Sequence, residues 1–190
     1  PQQHLLEACV DNTHRLHTVL KTLRGMFIAN DVAEEEFYIH DILQSVAALT
    51  DKEAERHGIT MKFICDPKLA MRGRPSELQH ALLNLTLNAI ESLSTIQRDL
   101  KGISVIALAD DSSLTLTVSD NGPGVSGSMS ERLFEMLDSD KPGGMGLGLW
   151  LCRHIAERHG GSIVHRPNLP AGAVFEISLP RLTGSAAAAA

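Results

Sequence analysis

Two pairs of strand-like segments, each joined by a short turn, constrain the fold of this chain most strongly. Residues 103–109 and 114–119 alternate apolar and polar side chains and are separated by the polar turn Asp-Asp-Ser-Ser. Residues 162–165 and 173–179 repeat this arrangement around a turn that contains Pro170. Because short turns join antiparallel strands and parallel strands need a long crossover, a regular series of strand–helix–strand units is excluded.

Three helices and one further strand complete the predicted domain. Apolar periodicity predicts helices over residues 38–56, 75–97 and 147–158, and alternation predicts a strand over 59–65. Five strands, mostly in hairpins, and three helices are typical of an α+β protein. We therefore expect a two-layer α/β sandwich, in which three helices cover one face of a mixed five-stranded sheet.

An additional long helix is predicted over residues 3–28. Its apolar positions recur at alternating spacings of three and four, which is the pattern of a coiled-coil seam. These positions are Leu6, Cys9, Thr13, Leu16, Leu20, Leu23 and Phe27. Such a stripe needs a partner, either the chain's own domain or another helix in a second copy or a neighbouring segment. We favour another helix, and a homodimer is one way to supply it.

The resulting organisation has four parts. Residues 1–29 form a partial dimerisation helix, residues 30–37 a linker and residues 38–182 the main domain. Residues 183–190, which end in five alanines, are a low-complexity tail or expression remnant.

Charge and composition exclude several classes of function. The net charge of −6 argues against non-specific nucleic-acid binding, which needs clustered Lys and Arg. No apolar run approaches the length of about 18 residues that spans a membrane. The three cysteines show no metal-binding spacing and are typical of reduced thiols. We expect a cytoplasmic chain without direct membrane contact, although the cytoplasmic part of a membrane-bound sensor would look the same.

Two asparagines on an otherwise apolar helix form the first candidate motif, NLTLNA at 84–89. Asn84 and Asn88 are four residues apart and therefore share one helical face. A buried amide without a partner costs about 1–3 kcal/mol, so something must satisfy both. A hydrogen bond to nearby backbone is one solution, and a bound cation with phosphates is the other.

The second motif is DNGPG at 120–124, directly after a strand. Asn-Gly and Pro-Gly alone predict a turn. A carboxylate at the end of a strand can also accept a hydrogen bond from an exocyclic amine, and glycines let a flat ring approach the backbone. The third motif, GGMGLGL at 143–149, opens a helix. Free N–H groups and the positive end of the helix dipole make such a segment a phosphate cradle.

In this order the three motifs resemble the N box, G1 box and G2 box of the GHKL ATPase superfamily, specifically of its sensor histidine kinases. Residues 131–135 resemble the family's F box, and residues 138–144 resemble the short lid of nitrogen- and oxygen-sensing kinases. The resemblance covers residues 38–180 and implies a Bergerat ATP-binding fold. Residues 5–27 resemble the second helix of the family's two-helix dimerisation domain.

The resemblance implies a role for individual residues, with ATP and Mg²⁺ as cofactors. Asp120 would accept a hydrogen bond from the adenine amino group. Asn88 would ligate Mg²⁺ through its side-chain oxygen, and Asn84, in the same phosphate and metal region, is the second candidate metal residue. Lys141 would offer a positive charge to the terminal phosphate, so Asn84 and Lys141 are the candidate catalytic residues. The candidate cofactor-binding residues are Asn84, Asn88, Asp120, Gly122, Gly124, Lys141, Gly144, Met145, Gly146, Leu147 and Gly148.

The chain departs from the family pattern at two positions and lacks one essential group. Glu91 stands where many of these kinases have a basic residue, and Phe134-Glu135 is not followed by the usual Pro-Phe. The family phosphorylates a histidine on the first dimerisation helix, followed by an acidic residue. Only His40-Asp41 looks similar, and it lies on the wrong helix. His80, just before the N box, is a candidate for approaching the nucleotide.

Three functions follow from this reading. The first is transfer of the ATP γ-phosphoryl group to a histidine absent from this chain, with a response regulator receiver domain as the downstream partner by family analogy. The second is ATP hydrolysis, as in related chaperones and topoisomerases. Those enzymes place a glutamate base four residues before the metal asparagine, where this chain has Asn84, which cannot take a proton from water. The third is a non-catalytic nucleotide-binding module, either a pseudokinase or an anti-sigma-like domain.

Overall fold

The computed structural model describes residues 33–126, 130, 132–135 and 146–181. Apart from Ala33, these residues belong to one structural unit. Its elements are β1 (Glu35–Tyr38), α1 (Ile39–Arg56), β2 (Ile59–Cys65), β3 (Ala70–Gly73), α2 (Pro75–Ser94), β4 (Lys101–Ala109), β5 (Ser113–Asp120), α3 (Gly148–Arg158), β6 (Ser162–Pro167) and β7 (Ala173–Pro180). Outside the described residues lie the predicted helix 3–28, the tail 183–190, Lys141, Gly144 and Met145.

A five-stranded sheet in the order β2-β4-β5-β7-β6 forms one layer of the domain. Strands β2 and β4 are parallel, and every other neighbouring pair in this sheet is antiparallel. The connection between the parallel pair runs through β3 and α2, as a parallel crossover requires. The predicted hairpins are β4–β5 and β6–β7, and the mixed five-stranded sheet is confirmed.

The three helices cover the apolar face of this sheet. Alternate side chains of β5 are buried, beginning with Leu114, Leu116 and Val118. In register, Leu116 lies between Ala107 of β4 and Ile177 of β7, and both of these are buried as well. Helix α2 packs on β4 and β5 between α1 and α3, which cover the two edges of the sheet. The predicted α+β sandwich is therefore confirmed.

A second, two-stranded sheet was not expected from the sequence. Strand β1 pairs antiparallel with β3, so the last residues of the predicted linker 30–37 belong to a strand. Both strands are four residues long, and their sequences EEFY and AMRG do not alternate apolar and polar side chains. Sequence periodicity cannot detect such strands, because their pairing depends on where α1 and α2 begin.

Helix α2 ends at Ser94, three residues before the predicted end. The hydroxyls of Ser94 and Thr95 donate to the carbonyls of Glu91 and Ser92, at 2.7 Å and 2.8 Å. Such local bonds compete with the helical ladder and favour its end. Among the described residues, no helix is long and apolar enough to cross a membrane.

Candidate nucleotide-binding site

Asp120 is a carboxylate at an inward-facing position of the sheet. It follows Leu114, Leu116 and Val118 in the alternation of β5 and is 5% exposed. Its Oδ1 accepts the Gly122 N–H at 2.8 Å. Burial raises the pKa of the Asp120 carboxyl, and hydrogen bonds from the backbone N–H groups of Gly122 and Ala173 partly oppose that shift. The carboxylate is therefore fixed in orientation beneath the helices.

The loop after Asp120 is held to the sheet from two sides. The Asn121 side chain accepts the Gly102 N–H at 2.9 Å and donates to the Leu100 carbonyl at 2.9 Å, so it faces β4. From the β6–β7 turn, Asn168 Nδ2 donates to the Asp120 carbonyl at 2.7 Å.

The β6–β7 turn also touches this loop through backbone alone. A methyl group on Gly172 would lie 1.9 Å from the Asp120 carbonyl oxygen, so no side chain fits there. Gly172 has φ +121°, and a methyl group on Gly124 would in turn lie 2.9 Å from the Gly172 oxygen. Two loops distant in sequence are thus packed backbone to backbone under the carboxylate.

Helix α2 faces the Asp120 loop at Ser92. A methyl group on Gly122 would lie 2.9 Å from Asp120 Oδ1 and 3.1 Å from Ser92 Oγ. Ser92 and Asn168 were both missed in the sequence. Ser92 was detectable in principle, because it continues a polar stripe at intervals of four along α2, through His80, Asn84 and Asn88. Asn168 carried no local signal, since only the folded sheet brings it to Asp120.

Asn88 occupies the middle of that stripe and is half-buried. Among the described residues, its side chain has no hydrogen-bond partner. Mg²⁺ prefers oxygen ligands, and the side-chain oxygen of Asn88 is not engaged by another described residue. The Asn88 side chain therefore fits a magnesium ion. The described residues contain no cluster of three or more His, Cys, Asp or Glu suited to a metal.

Asn84, one turn earlier, makes different contacts. Its Nδ2 donates to the Cys152 thiol of α3 at 3.3 Å. A methyl group on Gly148, the first residue of α3, would lie 2.7 Å from Nδ2 and 2.8 Å from Oδ1 of Asn84. The amide is therefore packed on the N-terminal end of α3.

The segment that opens α3 has the geometry of a helix start without a side-chain cap. Gly146 has φ +60°, and the N-cap Leu147 makes no capping hydrogen bond through its side chain. The first helical bond runs from the Leu151 N–H to the Leu147 carbonyl at 2.9 Å. The N–H groups before it have no acceptor within the helix, as at every helix start.

Residues of the F-box segment pack on strands β6 and β7, at one edge of the sheet. Phe134 meets Phe175 of β7 edge to face, with ring centroids 6.4 Å apart. Ser130 Oγ lies 3.2 Å from His165 Nδ1, and burial lowers the pKa of the His165 ring.

Of the predicted site residues, the structure thus brings Asp120 and Gly122 to one end of α2. It brings Gly148 beside Asn84, with Leu147 as the N-cap of the same helix, and it places Gly124 against the β6–β7 turn. Glu91 is exposed on α2. His40 lies on α1, where it pairs with Gln44 at 2.9 Å. The roles assigned to these residues stay predictions.

Comparison with protein families shows to which family the chain belongs. Residues 73–183, more than half of the chain, match the family described as histidine kinase-, DNA gyrase B- and HSP90-like ATPases. The chain belongs to this ATPase family. The three predicted boxes in α2, after β5 and before α3 all fall within the matched residues.

Relatives of the chain include bacterial sensor proteins. The chain is 29% identical to the C4-dicarboxylate transport sensor protein DctS of Rhodobacter capsulatus, over 75% of this chain and 22% of DctS. It is 29% identical to the sensor protein FixL of Bradyrhizobium diazoefficiens, over 92% of this chain and 35% of FixL. The chain therefore spans about a fifth to a third of the length of these relatives.

A solved structure identifies the branch of the ATPase family. The catalytic domain of the histidine kinase ThkA superposes with a TM-score of 0.70 at 25% identity, covering 79% of this chain and 99% of that domain. The described residues thus have the fold of a histidine kinase catalytic domain. ThkA has also been solved in complex with the response regulator protein TrrA, and this chain resembles that structure with a TM-score of 0.70 at 20% identity, over 89% of this chain and 49% of the ThkA chain.

Proposed function

We propose that this chain is the ATP-binding catalytic part of a two-component sensor histidine kinase. It binds ATP with Mg²⁺ and transfers the γ-phosphoryl group to a histidine outside this chain. The observation that carries the proposal is the buried Asp120 carboxylate, fixed by backbone and facing the helix that bears Asn88. Membership of the ATPase family and the ThkA-like fold support it.

Asp120 is proposed to bind the adenine amino group. Its inward position removes water, and a desolvated carboxylate gains most from a donor delivered by a ligand. Two backbone N–H groups already fix its orientation, which leaves lone pairs for a third donor. Gly122 and Gly124 keep the wall beside the purine free of side chains.

The phosphates are proposed to lie toward the start of α3. The backbone of Gly144, Met145, Gly146, Leu147 and Gly148 would supply N–H donors, and Lys141 would add a positive charge at the terminal phosphate. Asn88 would hold Mg²⁺ through its amide oxygen. The ion, when bound, neutralises charge that develops on the phosphate oxygens.

The reaction proposed is transfer rather than hydrolysis. The bond between the γ-phosphorus and the bridging oxygen breaks, a bond to an imidazole nitrogen of the acceptor histidine forms, and ADP leaves with the bond's electron pair. This chain positions the nucleotide and stabilises charge, as is usual in phosphoryl transfer. The amide of Asn84 stands where a hydrolytic relative has its general base, and it cannot activate water.

Two partners are proposed beyond ATP. A response regulator receiver domain would take the phosphoryl group from the acceptor histidine, as the ThkA–TrrA complex suggests by analogy. The heptad seam in residues 3–28 would join this chain to a second copy or to a neighbouring helix. We propose a cytoplasmic location for this part of the protein, since ATP and the regulator are there.

Nucleotide binding provides the first test. The chain should bind a non-hydrolysable ATP analogue by calorimetry, and added Mg²⁺ should tighten the binding. Asp120→Ala should abolish detectable binding, because the adenine amino group loses its acceptor. Asp111→Ala, an exposed change in the β4–β5 turn, is the matched control and should bind like the wild type. Equal affinity in Asp120→Ala and the control would overturn the adenine assignment.

Phosphotransfer in trans provides the second test. The chain is mixed with labelled ATP and a separately prepared dimerisation domain that carries the acceptor histidine. Label should appear on that histidine and not on the chain alone. Nucleotide binding without any label on the acceptor would favour the non-catalytic binding module instead.

A further inference from the structure

Asn84 and Asn88 share a helical face, yet their side chains have different surroundings. Asn88 has no hydrogen-bond partner among the described residues, whereas the Asn84 amide is engaged with α3. Its Nδ2 donates to Cys152 Sγ. Nδ2 and Oδ1 would lie 2.7 Å and 2.8 Å from a methyl group on Gly148. In this orientation Oδ1, the only atom of the amide that could ligate a metal ion, also faces Gly148.

Cys152 completes a bridge between α3 and α2. The side chain is fully buried, and its thiol donates to the Ala81 carbonyl of α2 at 3.6 Å. Burial raises the pKa of the Cys152 thiol to about 12, so the proton needed for this bond is present at neutral pH. The sulfur thus donates to one residue of α2 and accepts from another.

The far end of α3 is tied to α2 separately. Arg158 lies 3.3 Å from Glu77 in the first turn of α2. His159 Nε2 accepts the Arg74 N–H at 3.2 Å. The two helices therefore run antiparallel, with one connection near the start of α3 and another at its end. Loss of the first connection would release the start of α3 without undocking the helix.

We propose that Asn84 is a positioning residue, not a metal ligand: through Gly148 and Cys152 it fixes the first turn of α3 relative to Asn88. This inference rests on the proposed function, because it concerns the phosphate-facing N–H groups of that turn. It also explains why residue 148 is a glycine without reference to a ligand. Any side chain at this position would collide with the Asn84 amide.

The test separates the two asparagines by their effect on Mg²⁺. Binding of a non-hydrolysable ATP analogue and of adenosine is measured by calorimetry over a range of Mg²⁺ concentrations. Asn84→Ala should weaken the analogue about fivefold to tenfold and leave adenosine binding unchanged, since one hydrogen bond that orders the phosphate cradle is lost. The Mg²⁺ concentration for half-maximal binding should not move. In Asn88→Ala that concentration should rise.

Variants of Cys152 keep the proposal testable if Asn84→Ala fails to fold. Cys152→Ala should reproduce the loss of analogue affinity, and Cys152→Ser, which retains a donor and an acceptor, should restore most of it. Thr86→Ala removes a buried hydroxyl from the same helix away from α3 and controls for general destabilisation.

Two outcomes would overturn the proposal: a raised Mg²⁺ requirement in Asn84→Ala like that of Asn88→Ala, or wild-type affinity for the analogue in Cys152→Ala. Failure of the wild-type chain to bind the analogue at all would instead count against the proposed function.

Discussion

Asp120 stands where the alternation of β5 would place a fourth apolar side chain after Leu114, Leu116 and Val118. A buried carboxylate at a core position costs free energy unless it is satisfied, and proteins retain such groups mainly where they have a function. DNGPG alone predicts a turn, and the sequence singled out Asp120 only when this motif was taken together with the other two. Ser92 and Asn168, which surround it, were not singled out, because each reaches Asp120 only through contacts between distant elements.

A second aspartate, Asp110, gives a prediction about pH. In the β4–β5 turn its Oδ1 accepts the N–H groups of Ser112 and Ser113, at 2.8 Å and 2.7 Å. These backbone bonds, with the two serine hydroxyls, lower the pKa of the Asp110 carboxyl from 3.8 to about 2. A lowered pKa in the folded state adds stability above the unfolded pKa, and that contribution is lost as the pH falls.

Urea unfolding between pH 6 and pH 2.5 checks this. The difference in unfolding free energy between wild type and Asp110→Asn should be constant above pH 4.5 and should shrink as the pH falls from about 4 toward about 2. Asp111→Asn, next to it in the same turn, is the matched control, because it removes one negative charge and leaves the hydrogen bonds of Asp110 in place. A difference between wild type and Asp110→Asn that stays constant down to pH 2.5 would refute the account of the turn.

Elements with regular alternation or long amphipathic faces were predicted well. Strand β2 was predicted with its observed ends, and α1 and α3 each begin one residue later than expected. The short strands β1 and β3 were missed because four residues carry too little periodicity. The end of α2 was misplaced because the helix-ending hydroxyls of Ser94 and Thr95 look like ordinary polar residues in the sequence.

The contact between the β6–β7 turn and the Asp120 loop gives a prediction at the scale of elements. Gly172→Ala should destabilise the fold by more than about 2 kcal/mol, since the methyl group meets the Asp120 carbonyl and the backbone has positive φ. Gly58→Ala is the matched control: φ is +65°, but a methyl group there has nothing within 4 Å. It should cost about 1 kcal/mol. Equal losses of unfolding free energy in the two variants would show that the loops are not packed as described.

At the scale of the whole molecule, hairpin order and helix number were enough to predict a helix-covered mixed sheet. They could not say how α2 and α3 dock, because that depends on particular side chains: Glu77 with Arg158 at one end and Asn84 with Cys152 at the other. The sequence therefore proposed which segments form the site, and that assignment stays a prediction. It did not predict the contacts that hold those segments in place.

Amide NMR during titration with a non-hydrolysable ATP analogue and Mg²⁺ tests the central claim most directly, namely that these segments bind one nucleotide together. Signals from residues 84–92, 120–124 and 146–149 should shift together and saturate with a single dissociation constant. The signals of Gly58 and Asp111 should stay in place. Shifts confined to one segment, or segments that saturate at different concentrations, would contradict the account.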